Sequence, residues 1–225
     1  MNEVQGKVYI VGTPIGNLKD ITLRALETLK NVDFILAEDT RRTIKLLNFY
    51  NVSGRELISF NSHNALKKIP TVINRVQSGQ CCAVVTDSGM PVISDPGYKL
   101  VRECWAKKIE IDVIPGPSAL TAAVALSGLV SSEFTFLGFI PRGKNRRRLF
   151  RKLVNHEYPI VFFESPYRIT ETLEDILDIL GNKEIFIGRE LTKIHQELIR
   201  SSVKDLIEEF KKRGKILGEI TVVLK

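Results

Sequence analysis

The sequence predicts an α/β protein of two domains, each with a largely parallel sheet. Short β-branched runs alternate with segments of helical periodicity along the whole chain, the pattern of strand–helix–strand units. Some strand-like runs are apolar throughout, as in residues 81–86 (CCAVVT), which is expected when both faces of a sheet are covered. About ten strand signals in 225 residues would make an unusually large single sheet. Two domains fit better, residues 1–115 and 116–225, with the boundary near residues 115–117 (PGP).

Taken in order, residues 7–12 (KVYIVG) read as the first strand. Asp20 is placed to cap a helix over ITLRALETLKN, where Ile21, Leu23, Leu26 and Leu29 form an apolar stripe. Residues 32–37 (VDFILA) read as a strand, 43–48 as a short helix and 56–60 as a third strand. Residues 64–77 have a helical pattern that Pro70 is expected to break or restart. After the strand at 81–86, Asp95-Pro96 has the form of a helix start, with Asp as cap and Pro in the first turn. Residues 110–114 read as a strand, followed by a helix of small residues, PGPSALTAAVALSG. Beyond it, 134–139, 160–163, 185–188 and 218–224 read as strands, 196–201 as a further candidate, and 166–180 and 203–212 as helices.

Composition excludes several classes. Hydrophobic residues at 44% and charged residues at 26% are those of a soluble globular chain. Residues 117–130, the most apolar long stretch, are too short and too polar for a bilayer span. The N-terminus MNEVQGKVYIVG lacks a basic region followed by an apolar signal core, so the cytoplasm is expected. Three cysteines without a CxxC pair, and three scattered histidines, predict neither a disulfide framework nor a metal site.

Charge is more informative. Residues 142–152 hold Arg142, Lys144, Arg146, Arg147, Arg148, Arg151 and Lys152 and no acid. Without those seven, the 33 Lys and Arg fall to 26, equal to the Asp and Glu. Such a patch is expected to contact a polyanion such as RNA; the alternative is a solvated helix face.

In open α/β sheets ligands bind beyond the carboxyl ends of strands. Five loops at those ends are candidates. Gly12-Thr13-Pro14-Ile15-Gly16-Asn17 is a glycine-bearing turn, but neither GxGxxG nor GxxxxGK[ST], so no dinucleotide fold or ATP-hydrolysing loop is supported. Glu38-Asp39-Thr40-Arg41-Arg42 sets two carboxylates beside two guanidiniums; helix capping by Asp39 or Thr40 is the alternative. Asn61-Ser62-His63-Asn64 offers a histidine able to move protons near neutral pH, or a helix cap. Residues 87–97 (DSGMPVISDPG) suggest a shaped ligand wall, with Asp87 accepting hydrogen bonds and Asp95 read as a helix cap. Ile114-Pro115-Gly116-Pro117-Ser118-Ala119 turns tightly into a helix start, which can receive a carboxylate or phosphate.

Together, VGTPIGN, AEDTR, SHN, TDSGMPVISDPG, IPGPSA, FLGFIPR, FFESPYRI, GRELTKIHQE and GEITVVL resemble the bacterial ribosomal small-subunit methyltransferases of the tetrapyrrole-methylase superfamily, in order from Lys7 to Leu224. AEDTR and TDSGMPVISDPG are the specific motifs. The resemblance implies a class III methyltransferase fold, S-adenosylmethionine in the cleft between the domains, a homodimer, and 2′-O-methylation of a cytidine in 16S ribosomal RNA. It also implies that Thr13, Pro14, Ile15, Asp87, Met90, Ser118 and Ala119 meet the donor, with Phe163, Glu164 and Ile220 from the second domain. Glu38, Asp39, Arg41 and His63 fall to the acceptor side. There Glu38, Asp39 or His63 would be the base, and Arg41 would hold a phosphate or the developing alkoxide. No metal is expected, since methyl transfer needs no Lewis acid. Family members often continue past GEITVVL, whereas this chain stops at Lys225, so residues 142–152 are expected to contribute more to RNA binding. Two alternatives remain open: a methyltransferase for a small tetrapyrrole acid, and a non-catalytic RNA-binding module.

Overall fold

The computed structural model describes residues 6–225. The chain divides into two compact units, Met1–Ser118 and Ala119–Lys225, each with one five-stranded sheet. In the first, β1 (Lys7–Val11), β2 (Phe34–Ala37), β3 (Glu56–Ser59), β4 (Cys82–Val85) and β5 (Glu110–Ile114) are all parallel, in the order β3-β2-β4-β1-β5. One face is covered by α1 (Leu23–Asn31) and α2 (Thr40–Phe49), the other by α3 (Ala65–Gln77) and α4 (Tyr98–Ala106). In β2, Ile35 and Ala37 pack with the first pair of helices, Phe34 and Leu36 with the second. Alternate side chains enter two different cores, so the strand reads as an unbroken apolar run.

Local chemistry moves three boundaries from their expected places. The α1 cap is Thr22, whose hydroxyl accepts from the Ala25 N–H at 3.1 Å, while Asp20 ends a short 3-10 turn. Ala25 and Leu29 are the buried residues of α1, and Leu23 is 80% exposed. α3 runs unbroken through Pro70. The hydrogen bond that Pro70 cannot donate belongs to the exposed side of the helix, where water can satisfy the carbonyl. α4 is capped by Gly97, not Asp95; its φ of 133° suits glycine, and a Cβ there would sit 2.9 Å from Val92.

The second unit contains α5 (Ala119–Ser127), β6 (Thr135–Phe139), α6 (Gly143–Lys152), β7 (Ile160–Glu164), α7 (Ile169–Leu180), β8 (Glu184–Arg189), β9 (Glu197–Ser202), α8 (Val203–Arg213) and β10 (Ile220–Leu224). Its strand order is β6-β7-β10-β8-β9. Only β6 and β7 pair in parallel, and the other three pairings are antiparallel, so the expectation of a largely parallel sheet applies to the first unit. The chain between β8 and β9 is too short for a crossover, and a hairpin pairs its strands antiparallel. α6, α7 and α8 share one hydrophobic core with one face of this sheet. Among the described residues no helix is long and apolar enough to cross a membrane.

Candidate active site

Topology selects one place on the first sheet. β4 lies between β1 and β2. The chain leaves β1 and β2 toward the α1–α2 face, but leaves β4 toward the α3–α4 face. Diverging connections open a crevice at the carboxyl end of β4, the usual ligand position in such sheets.

The loops at this crevice are tied together by backbone. Thr13 and Gly89 exchange two N–H···O bonds, at 2.9 and 3.1 Å, joining the first loop to the fourth. The buried Thr13 hydroxyl donates to the Thr86 carbonyl at 3.1 Å, so it holds loops together instead of facing a ligand. Pro14 and Ile15 are buried beside it, and Met90 and Ser118 are partly buried. Gly12 and Gly116 pass so closely that a Cβ on Gly12 would lie 2.7 Å from both the Gly116 Cα and the Met90 sulfur. Val92 and Ser94 hold positive φ values of 75° and 65°. For a β-branched residue such as Val92 this is strained backbone, of the kind found at ligand walls.

The crevice collects carboxylates around Thr86. Half-buried Glu38 accepts the Thr86 hydroxyl at 2.5 Å and the Asp87 N–H at 3.3 Å. Asp87 accepts the Asp39 N–H at 3.1 Å and faces Arg42 at 3.4 Å. Burial, then the neighbouring charge of Glu38, push the Asp87 carboxyl above the usual carboxylate range. Burial followed by Glu38 raises Asp95 further, to about 6, against a hydrogen bond with the Thr86 side chain. Asp95 is thus a member of this cluster that sequence reading assigned to a helix cap.

Asp39 and Arg41 prove to be a pair of a different kind. Asp39 caps α2 by accepting the Arg41 N–H at 2.9 Å, and binds the Arg41 guanidinium through both oxygens at 3.0 and 2.6 Å. These bonds hold its carboxyl down at about 2, which removes it as a base near neutral pH. Arg41 turns back onto Asp39, so its expected phosphate or alkoxide contact is not prepared. Arg42, the second guanidinium of that loop, and Lys45, which the sequence did not single out, instead line a cavity of about 130 Å³ with Thr13, Pro14, Leu18, Thr86 and Asp87. His63 stands apart, exposed after the edge strand β3, where its backbone N–H donates to the Asn61 side chain.

The ionisation of Asp95 predicts a pH effect. Its folded-state value lies above the ordinary 3.8, so ionising it penalises the fold from about pH 4, and fully above about pH 6. Asp95→Asn should therefore leave Tm unchanged near pH 4 and raise it by a few degrees near pH 8. Equal Tm differences at both pH values would show that Asp95 ionises normally.

The second unit corrects four expected contacts. Glu164 is buried, accepting the Ser165 N–H and the Thr172 hydroxyl at 2.6 Å each and pairing with Arg168 at 2.6 Å. Ile220 lies in the hydrophobic core. Neither offers its side chain to a ligand. On α6, Arg146 is 1% exposed, with its Nε on Asp175 at 2.6 Å and its Nη2 2.7 Å from Glu171. Arg147 pairs with Asp175 and Asp178. The buried Arg146 thus serves α6–α7 packing, and the partly exposed Arg147 is engaged by acids of α7. Arg142, Lys144, Arg148, Arg151 and Lys152 stay exposed, with no acidic partner among the described residues. Phe163 remains partly open, packed on Phe136 and Phe139 with ring centroids at 5.1 and 5.3 Å, and exposed Phe139 is a further aromatic at that strand end. Ala119 opens α5.

The chain matches the family model described as Tetrapyrrole (Corrin/Porphyrin) Methylases over residues 7–207. It belongs to that family. Its activity is accordingly methyl transfer. It is 59% identical to the Ribosomal RNA small subunit methyltransferase I of Thermotoga maritima, over 97% of this chain and 98% of that one. The protein of the same name from a Hydrogenobaculum species is 46% identical, over 97% and 95% of the two chains. Among solved structures, the cobalamin biosynthetic enzyme cobalt precorrin-4 methyltransferase superposes with a TM-score of 0.69 at 19% identity, covering 96% of this chain and 94% of that one, which speaks to fold alone.

Proposed function

We propose that this methyltransferase uses S-adenosylmethionine to methylate the ribose 2′-hydroxyl of a cytidine in the decoding region of 16S ribosomal RNA, as a cytoplasmic homodimer. The observation that carries the reading is the 59% identity, over nearly the full length of both chains, to a relative named for ribosomal RNA small-subunit methylation. The donor fits the crevice on its own chemistry. Its sulfonium and α-amino groups are cationic and its ribose hydroxyls are donors, and the crevice offers Asp87 beside a glycine pair that keeps side chains away from the backbone. S-adenosylmethionine supplies the methyl group.

The residues then divide the work. Asp87, on the small cavity wall, binds the donor's hydroxyl or amino groups. The Thr13–Gly89 bridge fixes the loops and so the alignment that an in-line displacement requires. Glu38, held beside Thr86, takes the proton from the ribose hydroxyl, a poor nucleophile without such a base. Arg142, Lys144 and Arg148 hold phosphates of the RNA.

The test is transfer of labelled methyl to purified small subunits from a strain lacking this protein, followed by mapping of the nucleotide. Label on one cytidine ribose is expected; label only on a tetrapyrrole acid, or none on RNA, would overturn the assignment. Asp87→Ala should weaken S-adenosylmethionine binding by about 10-fold or more, the loss of a charged hydrogen bond. Unchanged affinity by calorimetry would remove Asp87 from the site.

A further inference from the structure

We propose that the groove between α3 and α4 is a track for the single-stranded RNA flanking the methylated nucleotide. The proposal rests on the RNA-substrate reading and adds a second contact surface to it, away from α6. The groove has a volume of about 590 Å³. α3 begins just after the loop bearing His63, and α4 just after the loop bearing Asp87 and Asp95. Both helices therefore start at the catalytic edge of the sheet, and the groove between them leads away from it. Lys99 and Lys107 mark its extent along α4, about 12 Å of helix.

Its chemistry suits a nucleic-acid strand. Lys99, Arg102 and Lys107 line it, all exposed, with no acidic partner among the described residues. Glu103 is the one acid on its walls, and Ile69 and Ile73 are among its apolar lining. Tyr98, Arg102 and Trp105 follow one another at i, i+4 and i+7, along one stripe of α4. The two rings are 63% and 75% exposed. Cations that track phosphates, beside open aromatic rings on which bases stack, are how single strands are held without sequence preference. A second copy of this chain fits less well. Lys99, Arg102 and Lys107 outnumber Glu103 on this face, so two copies meeting through it would oppose like charges. A concave, cation-lined channel also fits a strand better than a flat anionic bilayer.

The experiment measures binding of a decoding-region RNA oligonucleotide at several salt concentrations. It compares the full chain with the variant Lys99→Gln, Arg102→Gln, Lys107→Gln. Three lost phosphate contacts should flatten the log–log salt slope by about 2, so that between about 50 and 200 mM salt the variant loses roughly 20-fold less affinity than the parent. Trp105→Ala, an exposed substitution that leaves the core untouched, should weaken binding on the order of 10-fold with the slope unchanged. S-adenosylmethionine affinity should stay the same in both. Wild-type binding with equal slopes and no effect of Trp105→Ala overturns the groove while leaving the RNA substrate in place. The same RNA result, joined to a change in sedimentation, reassigns the face to self-association, and joined to lost binding of phosphatidylserine vesicles, to a membrane surface. No salt-dependent binding by the wild type overturns the substrate reading and the groove together.

Discussion

Arg146→Gln is expected to lower stability by about 3 kcal/mol, because it removes the buried guanidinium shared by Asp175, Glu171 and Thr172 and leaves Asp175 to the half-exposed Arg147 alone. In a unit of this size that corresponds to a fall in Tm of roughly 12 °C or more. Arg146 looks, in the sequence, like its neighbour Arg148. In the fold it is the centre of a buried chain of groups: Arg146 to Asp175 and Thr172, Thr172 to Glu164, and Glu164 to Arg168. Burial alone would weaken the hold of its guanidinium on its proton, and Glu171 and Asp175 more than compensate. Arg148→Gln, on the exposed face, should leave Tm within about 1 °C and instead reduce the salt slope of RNA binding by roughly 0.7. Thermal unfolding and RNA titration of the two variants separate the roles. If Arg146→Gln unfolded like the wild type and changed the RNA slope, the ion-pair network would not be the function of that side chain.

Glu38→Gln should lower kcat for methyl transfer on the order of 100-fold near neutral pH, the usual contribution of a positioned base. The amide has the same shape and can still accept from the Thr86 hydroxyl and the Asp87 N–H, so S-adenosylmethionine affinity should change little. Asp39→Asn is the control. It keeps an oxygen for the α2 cap, and since Asp39 is already held at about 2 it was never a proton acceptor near neutrality. Its kcat should stay within a few-fold. Single-turnover rates for the three proteins decide the matter: a Glu38→Gln variant as fast as the wild type would leave Asp95 or His63 as the base. The pH dependence of that rate distinguishes those two, since Asp95→Asn should abolish a limb near pH 6 only if Asp95 takes the proton.

Much of the fold was legible because its signals are local. Strands such as Lys7–Val11 and Cys82–Val85 are recognisable from apolar β-branched runs, and the loops at their carboxyl ends from clustered Gly, Pro and Asp. The likeness carried by AEDTR and TDSGMPVISDPG pointed to the family and to Glu38 and Asp87. One buried arginine was within reach of periodicity. Arg146 stands three and four residues before Leu149 and Phe150, and Glu171, Asp175 and Asp178 repeat at helical spacing on α7, yet the sum of charge in residues 142–152 hid both patterns.

Some properties depend on contacts that no segment contains. Asp95 becomes an acid of about 6 because the fold buries it and brings Glu38 and Asp87, 57 and 8 residues earlier in the chain, to the same Thr86. Gly97, not Asp95, begins α4 because Val92 folds back to where a Cβ would lie. Asp39 and Asp87 are alike in the sequence, but two bonds to Arg41 hold one low while burial beside Glu38 raises the other. The amino acids by themselves determined which elements form and which residue types stand at the strand ends. Tertiary structure decided which charges are buried against one another, because desolvation and Coulomb energy depend on distances in space between groups far apart in the chain.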